Sequence, residues 1–322
     1  MTITRKHFLK KKVSSENKAV FITGCDSGFG HAIAKRMDSL GYHVFAACLD
    51  PKSEGAAALT EECSSRLLTL PLDVTSNESV QSAKDFVMKH LGNSVLWGVL
   101  NNAGIPLGGE IDWTPMEELE KVYEVNAAGT LRVTKAFLPL LRQSRGRLVN
   151  NTSACGEFIC PGFVGYCMSK SAAIALTTGL RIEMMKWGVK AISIQPFFYK
   201  TPLTNEDTAV ESIRKRWMRS DSRTRKDYGE GYMDNFVKCT RELLQRGSSR
   251  IEDVIECFED ALTAEDPLST YMPAFFPDKV GIKLLKYIPA VLVEHYLRYN
   301  LERGFKPPTQ SEIKESDKIK MN

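Results

Sequence analysis

The sequence predicts an open α/β fold: a doubly wound parallel sheet with helices on both faces and a helical C-terminal extension. Two observations carry this. Short apolar, β-branched runs read as strands buried in a parallel sheet, and the first of them runs directly into a glycine-rich turn that opens a helix. With 322 residues and 43% apolar content, the chain can bury one full core with tails at either end. The predicted limits are a basic tail over 1–17, a single domain over 18–303 with a lid at about 202–244, and a disordered polar tail over 304–322. No internal repeat is present.

Lys18 to Thr23 reads as the first strand, and Gly24-Cys25-Asp26-Ser27-Gly28-Phe29-Gly30 as the turn. Glycines at such a turn let backbone N–H groups approach a pyrophosphate at a helix N-terminus; a ligand-free turn is the alternative. The helix runs from Gly28 to about Leu40, stops at Gly41, and leads into a second strand over Tyr42 to Cys48. That strand ends in Cys48-Leu49-Asp50, with its acid displaced by a residue or two from the usual ribose-binding place, no Arg at the tip, and Ser27 before Gly28. This pattern favours NAD. Lys52, which could reach a 2′-phosphate, keeps NADP open.

A third strand, Leu67 to Leu72, ends in Asp73-Val74, and a fourth, Leu96 to Leu100, in Asn101-Asn102-Ala103-Gly104. Ligands lie beyond the carboxyl ends of such strands, so both clusters belong on the cofactor side, with plain turn chemistry as the alternative. Thr114 to Arg142 and Val164 to Trp187 read as two long helices, and Val189 to Gln195 as the sixth strand. Residues 202–244 carry Trp217, Met218, Tyr228, Tyr232, Met233 and Phe236. A segment this long after the strand nearest the nicotinamide reads as a lid over the substrate; its aromatic residues suit either a pocket wall or the core face of two helices.

The second long helix carries Tyr166 and Lys170, with Ser153 upstream. Spacing i, i+4 puts phenol and ammonium on one face, so the cation favours the phenolate. At about 4 Å and an effective dielectric near 20, one unit charge contributes roughly 4 kcal/mol, or about three pKa units. That shift brings the phenol toward the pH at which general acid–base catalysis works best. Without its context the pair would read as an ordinary helix-surface pair.

Thr23-Gly24-x-x-x-Gly28-x-Gly30, Asp73, Asn101-Asn102-Ala103-Gly104, Asn126, Ser153 and Tyr166-x-x-x-Lys170 occur in the order of a short-chain dehydrogenase/reductase, which the chain resembles from Lys18 to about Thr201. The Thr-Gly-Cys-Asp-Ser-Gly-Phe-Gly turn, Trp97-Gly98-Val99-Leu100 and Lys226-Asp227-Tyr228-Gly229 resemble one subgroup: retinol dehydrogenases, related hydroxysteroid dehydrogenases and D-3-hydroxybutyrate dehydrogenase. The resemblance implies a single-domain Rossmann fold and an NAD(P)-dependent alcohol dehydrogenase. It makes Tyr166 the catalytic acid/base, with Lys170 lowering its pKa and binding the nicotinamide ribose. Ser153 would bind the substrate oxygen, and Asn126 would hold a proton-relay water, unless it merely kinks or caps its helix. For the cofactor it implies Thr23, Gly24, Ser27, Gly28, Phe29 and Gly30 at the turn, then Cys48 and Leu49, Asp73 and Val74, and Asn102, Ala103 and Gly104. Tyr166 and Lys170 join them, as do Pro196 and Thr201, whose hydroxyl would meet the carboxamide. It further implies a homodimer or homotetramer through the two long helices. The chemistry agrees, because hydride loss from an alcohol needs a base for the hydroxyl proton and a donor for the oxyanion, while the nicotinamide takes the hydride.

One departure stands out: Phe197 follows Pro196 where the family has glycine, which changes the allowed backbone beside the nicotinamide. The predicted partner is a small lipophilic alcohol or ketone, a retinoid or steroid. Two alternatives remain. A 3-hydroxybutyrate-type hydroxy acid would need a basic partner for its carboxylate, with Lys200 as candidate, and a non-enzymatic dinucleotide sensor would follow if Phe197 blocked the nicotinamide.

A net charge of +4, with Arg214-Lys215-Arg216 interleaved with acids, predicts a solvated helix face and no nucleic-acid partner. The eight cysteines have neither metal-ligand spacing nor a secretory context and read as reduced packing thiols, Cys155 and Cys160 included, with redox sensitivity as the lesser alternative. The five histidines do not cluster, so no metal site is predicted. Lacking a long apolar N-terminal run, the chain is expected to be cytoplasmic or peripheral to an intracellular membrane, with mitochondria as second choice. Val280 to Val293 mixes apolar residues with lysines and suits peripheral membrane contact, a roof over the substrate, or core or dimer packing.

Overall fold

The computed structural model describes residues 11–274, 276–285, 288–289 and 291–295. In chain order come β1 (Lys18–Thr23), α1 (Gly28–Ser39), β2 (His43–Cys48), α2 (Glu54–Glu62), β3 (Leu67–Pro71), α3 (Asn77–His90), β4 (Val95–Asn101), α4 (Met116–Tyr123), α5 (Thr130–Ser144), β5 (Arg147–Asn151), α6 (Val164–Glu183) and β6 (Lys190–Ile194). A helical run then follows, α7 (Glu206–Arg219), α8 (Ser222–Tyr228), α9 (Glu230–Gln245) and α10 (Glu252–Thr263), before β7 (Thr270–Tyr271) and α11 (Phe276–Leu285). The strands pair in parallel in the order β3-β2-β1-β4-β5-β6-β7. This is the doubly wound sheet predicted.

Alternation along the central strand shows why it needs cover on both faces. Val20 and Ile22 enter one core with Ile33 and Met37 of α1 and Phe258 of α10, while Ala19 and Phe21 enter the other with Val133 and Phe137 of α5. Phe21 stacks on Phe137 at 4.3 Å between ring centroids, and each such side chain contributes roughly 1.5–3 kcal/mol on burial. The strand order reverses beside β1, so the turn after β1 and the tip of β4 border one crevice.

Several predicted boundaries move. The single helix expected over 114–142 is two, α4 and α5, joined by a π-helical segment over Glu124–Gly129. The helix expected to reach Trp187 ends at Glu183, with a short 3-10 turn before Gly188 at φ +69°. Residues 11–13 of the expected N-terminal tail are docked: Val13 donates to Thr263 O at 2.8 Å, beside a bridge between Lys12 and Ala264. Residues 1–10 and the predicted tail over 304–322 lie outside the described residues.

The segment over 202–244 folds as a 3-10 turn, α7, α8 and most of α9. Trp217, Met233 and Phe236 form the segment's own core with Trp113, against which Tyr228 and Tyr232 pack, and Met218 is exposed. Of the two readings of its aromatic residues, helix packing is therefore the correct one. Arg216 and Arg219 pair with Glu118 of α4, and Tyr232 donates to Glu110. In the C-terminal region Ile282 is buried against Met272 and Ala154, while Val280, Leu284, Ile288, Val291 and Leu292 are exposed. No helix among the described residues is long and apolar enough to cross a membrane.

Candidate active site

The turn after β1 is built for a close approach. Gly24 and Gly28 sit at φ +69° and +60°, a region open to glycine at little cost. A Cβ on Gly30 would lie 2.1 Å from Gly24 O, and one on Gly24 would lie 2.9 Å from Ala103 Cα, so the turn seats directly on the tip of β4. Thr23 Oγ1 accepts from Asn102 N at 3.0 Å and Ala103 N at 2.9 Å, and Asn102 Nδ2 donates to Thr23 O and Gly24 O, both at 3.0 Å. Thr23 and Asn102 thus lock the turn in place.

At the start of α1, Ser27 provides no side-chain cap and the first turn holds no acid. Uncapped N–H groups and the positive end of the helix dipole are what a pyrophosphate requires. The crevice in front of them, 610 Å³, is lined by Gly24, Ser27, Gly28, Phe29, Leu49, Asp73, Val74, Ala103, Gly104 and Thr201 among others. These residues fit a dinucleotide. Cys48 is a correction: its side chain is wholly buried in the core and lines no part of the crevice. Pro196 is likewise buried, its carbonyl accepting from Ala154 N at 3.0 Å.

Sequence reasoning missed Asp26. Its carboxylate lines the crevice and accepts from Leu49 N at 3.0 Å and Asp50 N at 2.9 Å, so the acid at the tip of β2 comes from the glycine turn. An Asp inside a turn already has a local explanation, and only the fold reveals what it reaches. Asp73 Oδ1 accepts from Thr75 N and Thr75 Oγ1 at 2.8 and 2.7 Å, which fixes the carboxylate at the crevice wall.

A second, apolar pocket lies beside the crevice. Ser153 and Tyr166 line it with Leu107, Phe163, Phe197 and Leu244, and Leu203 borders both this pocket and the crevice. Ser153 follows β5, Tyr166 lies in the first turn of α6, and the two side chains face the same pocket. Burial pushes the phenol above its ordinary range, and the Ser153 hydroxyl pulls it back. Lys170 Nζ lies 5.7 Å from the ring centroid and donates to Asn151 O at 3.0 Å. Burial lowers its pKa to about 8. The strong downward push on the phenol that the spacing predicted is therefore absent here: desolvation outweighs an ammonium held beyond the ring.

Asn126 sits in the π-helical segment, almost wholly buried. Its amide donates to Ile105 O and Ser169 Oγ, both at 3.0 Å, and accepts from Ile105 N at 2.8 Å. Both amide hydrogens are engaged, so the side chain joins the loop after β4 to α6. Gly104 completes the arrangement, since a Cβ there would lie 3.2 Å from Asn126 Oδ1 and 3.4 Å from Lys170 Nζ.

Phe197 does not take the left-handed backbone that would call for glycine. Its N–H donates to Pro273 O at 3.2 Å, and its ring packs on Phe158 and Phe198. It walls the substrate pocket and leaves the crevice clear, which removes the ground for a blocked nicotinamide. Lys200, the candidate carboxylate partner, is exposed and lines no part of the pocket. Behind the tyrosine Cys155 and Cys167 are both buried, and Cys160 N donates to Cys167 Sγ at 3.5 Å. Among the described residues no group of side chains could hold a metal ion.

A glycine-turn crevice opening beside a paired serine and tyrosine defines an oxidoreductase site, and the model of the short chain dehydrogenase family matches residues 18–212. The chain belongs to that family. Within it, the chain is 38% identical to retinol dehydrogenase 7 of Mus musculus over 91% of this chain and 92% of that one. It is 37% identical to 17-beta-hydroxysteroid dehydrogenase type 6 of Homo sapiens over 92% and 91%. A short chain dehydrogenase/reductase from Burkholderia phymatum, solved in complex with NAD, shares the fold with a TM-score of 0.68 at 22% identity, covering 92% of this chain and 98% of that one.

Proposed function

We propose that the chain is an NAD-linked dehydrogenase of a lipophilic alcohol, a retinoid or steroid, with Tyr166 moving the hydroxyl proton. The observation that carries this reading is that Ser153 and Tyr166 together line an apolar pocket set against the glycine-lined crevice. When bound, the nicotinamide takes the hydride and, in its oxidised form, brings a positive charge to the site. Ser153 would hold the substrate oxygen, and Tyr166 Oη would take its proton and return it in the reverse direction. Lys170, anchored on Asn151 O, and Asn126, anchored on Ile105 and Ser169, act as positioning residues.

Preference for NAD over NADP rests on Asp26. A carboxylate at the tip of β2 can accept from a ribose hydroxyl and repels a 2′-phosphate. The substrate class rests on the apolar pocket and on the similarity to retinol and hydroxysteroid dehydrogenases. In this closed form the pocket holds 140 Å³, below the roughly 300 Å³ at which pockets for drug-sized ligands begin, so the lid gives way on substrate entry. Exposed apolar residues of the C-terminal region favour peripheral membrane contact, which suits a lipophilic substrate. Initial rates of the purified chain with NAD and NADP, against retinol, a hydroxysteroid and 3-hydroxybutyrate, test the reading. Turnover of 3-hydroxybutyrate in preference to both lipophilic alcohols would overturn it.

A further inference from the structure

The substrate pocket is apolar on most sides, but the lid places polar groups in it at regular intervals. Thr208, Ser212 and Arg216 follow one another at i, i+4 and i+8 along α7, and Thr240 joins them from α9; such spacing keeps them on one helix face. Thr208 Oγ1 lies 3.1 Å from Asn205 Oδ1, which it meets in capping the helix. The others have capacity left. Ser212 and Thr240 make no side-chain hydrogen bond among the described residues, although Thr240 is only 4% exposed. Arg216 donates from Nε to Glu118 and from Nη1 to Gly108 O at 2.9 Å, and its Nη2 donates to nothing among the described residues. A guanidinium offers five N–H groups in a fixed fork, so with the two hydroxyls the pocket keeps donors that a ligand oxygen can engage. None of these three residues contacts Ser153 or Tyr166 by any hydrogen bond described above, so they are not part of the proton-transfer pair.

We infer that Arg216, Ser212 and Thr240 form a second polar anchor in the substrate pocket, one that takes a neutral oxygen, ketone or hydroxyl, carried by the lipophilic alcohol away from the reacting carbinol. Charge selects the neutral group. Glu118 pairs with both Arg216 and Arg219, and Glu117 pairs with Arg219, so two cations face two anions and a carboxylate finds no net positive charge. This inference rests on the alcohol dehydrogenase reading and narrows it: a steroid with an oxygen at its far end fits the pocket better than an alcohol whose far end is pure hydrocarbon.

The test compares a 3α-hydroxysteroid bearing a ketone on its D ring with the analogue carrying a methylene there. The wild-type chain should prefer the ketone in kcat/KM by on the order of 10- to 100-fold. Ser212→Ala combined with Thr240→Val, which leaves the Arg216 ion pair intact, should shrink the ratio while holding the methylene analogue within about threefold of wild type. Arg216→Met should shrink it further. Equal use of both steroids by the wild type, or a ratio unchanged in both variants, would overturn the anchor. Equilibrium binding of the two steroids in the presence of NADH reads the same ratio without turnover, so retained preference in binding with no oxidation of either would contradict the dehydrogenase reading and leave the anchor standing.

Discussion

Replacing Asp26 by Asn removes one negative charge from the crevice and little volume. At about 5 Å, two unit charges repel by roughly 0.8 kcal/mol in water and 3.3 kcal/mol at an effective dielectric of 20. A 2′-phosphate carries a charge of about −1.5 to −2, which widens the range to roughly 1–7 kcal/mol. Asp26 is half-buried, so a middle value of about 3 kcal/mol applies, or about 100-fold in relative kcat/KM. The ratio of NAD to NADP efficiency, measured with one fixed alcohol, should fall by at least about tenfold in Asp26→Asn. The wild-type KM for NADP should also improve with added salt, because half-exposed charges are screened. A second effect is structural. The amide can accept from only one of Leu49 N and Asp50 N without turning its own N–H groups toward the other, which costs about 1–3 kcal/mol and lowers Tm by several degrees. A lower Tm with an unchanged cofactor ratio would refute the electrostatic argument and leave Asp26 a purely structural clamp.

The buried phenol gives a pH dependence of definite sign: because burial raises the Tyr166 pKa and oxidation needs the phenolate, kcat/KM for the alcohol should climb with pH from neutral upward, and a flat profile there would contradict the assignment. Lys170 titrates near 8 in the folded chain, down from 10.5, so the native state sheds that proton first and this residue's contribution to stability rises between those values, by roughly 3 kcal/mol in all. Urea unfolding of wild type and Lys170→Met should diverge across that window, and parallel curves would contradict the burial argument. Gly30→Ala should abolish cofactor binding or folding, since its Cβ would overlap Gly24 O at 2.1 Å; a variant that binds NADH normally by fluorescence would show that the turn has room for a methyl group.

The parallel sheet was legible because β1, β2, β3, β4 and β6 carry short apolar runs, whereas β5, with only Leu148 and Val149 apolar, went unread. The glycine turn was legible because Gly24, Gly28 and Gly30 each fill a place where a Cβ would be strained or crowded. Ser153, Tyr166 and Lys170 do meet around Asn151 and the pocket. Less could be read where one residue serves two masters. Asp26 sits inside the glycine turn and gives no sign in the sequence that it reaches the tip of β2, and Cys48 points into the core although its backbone ends the right strand. The π-helical break at Glu124–Gly129 contains no proline to announce it. Aromatic residues of α7 to α9 carry the same periodicity whether they face a ligand or each other, and here Trp113 claims them.

Whether Tyr166 carries the alcohol proton is decided most directly by Tyr166→Phe, which removes one oxygen from a ring that otherwise stays packed. Its kcat/KM for alcohol oxidation should fall by on the order of 10²- to 10⁴-fold, while the NADH dissociation constant stays within about threefold of wild type. Turnover close to the wild-type rate with NADH still bound would contradict the account.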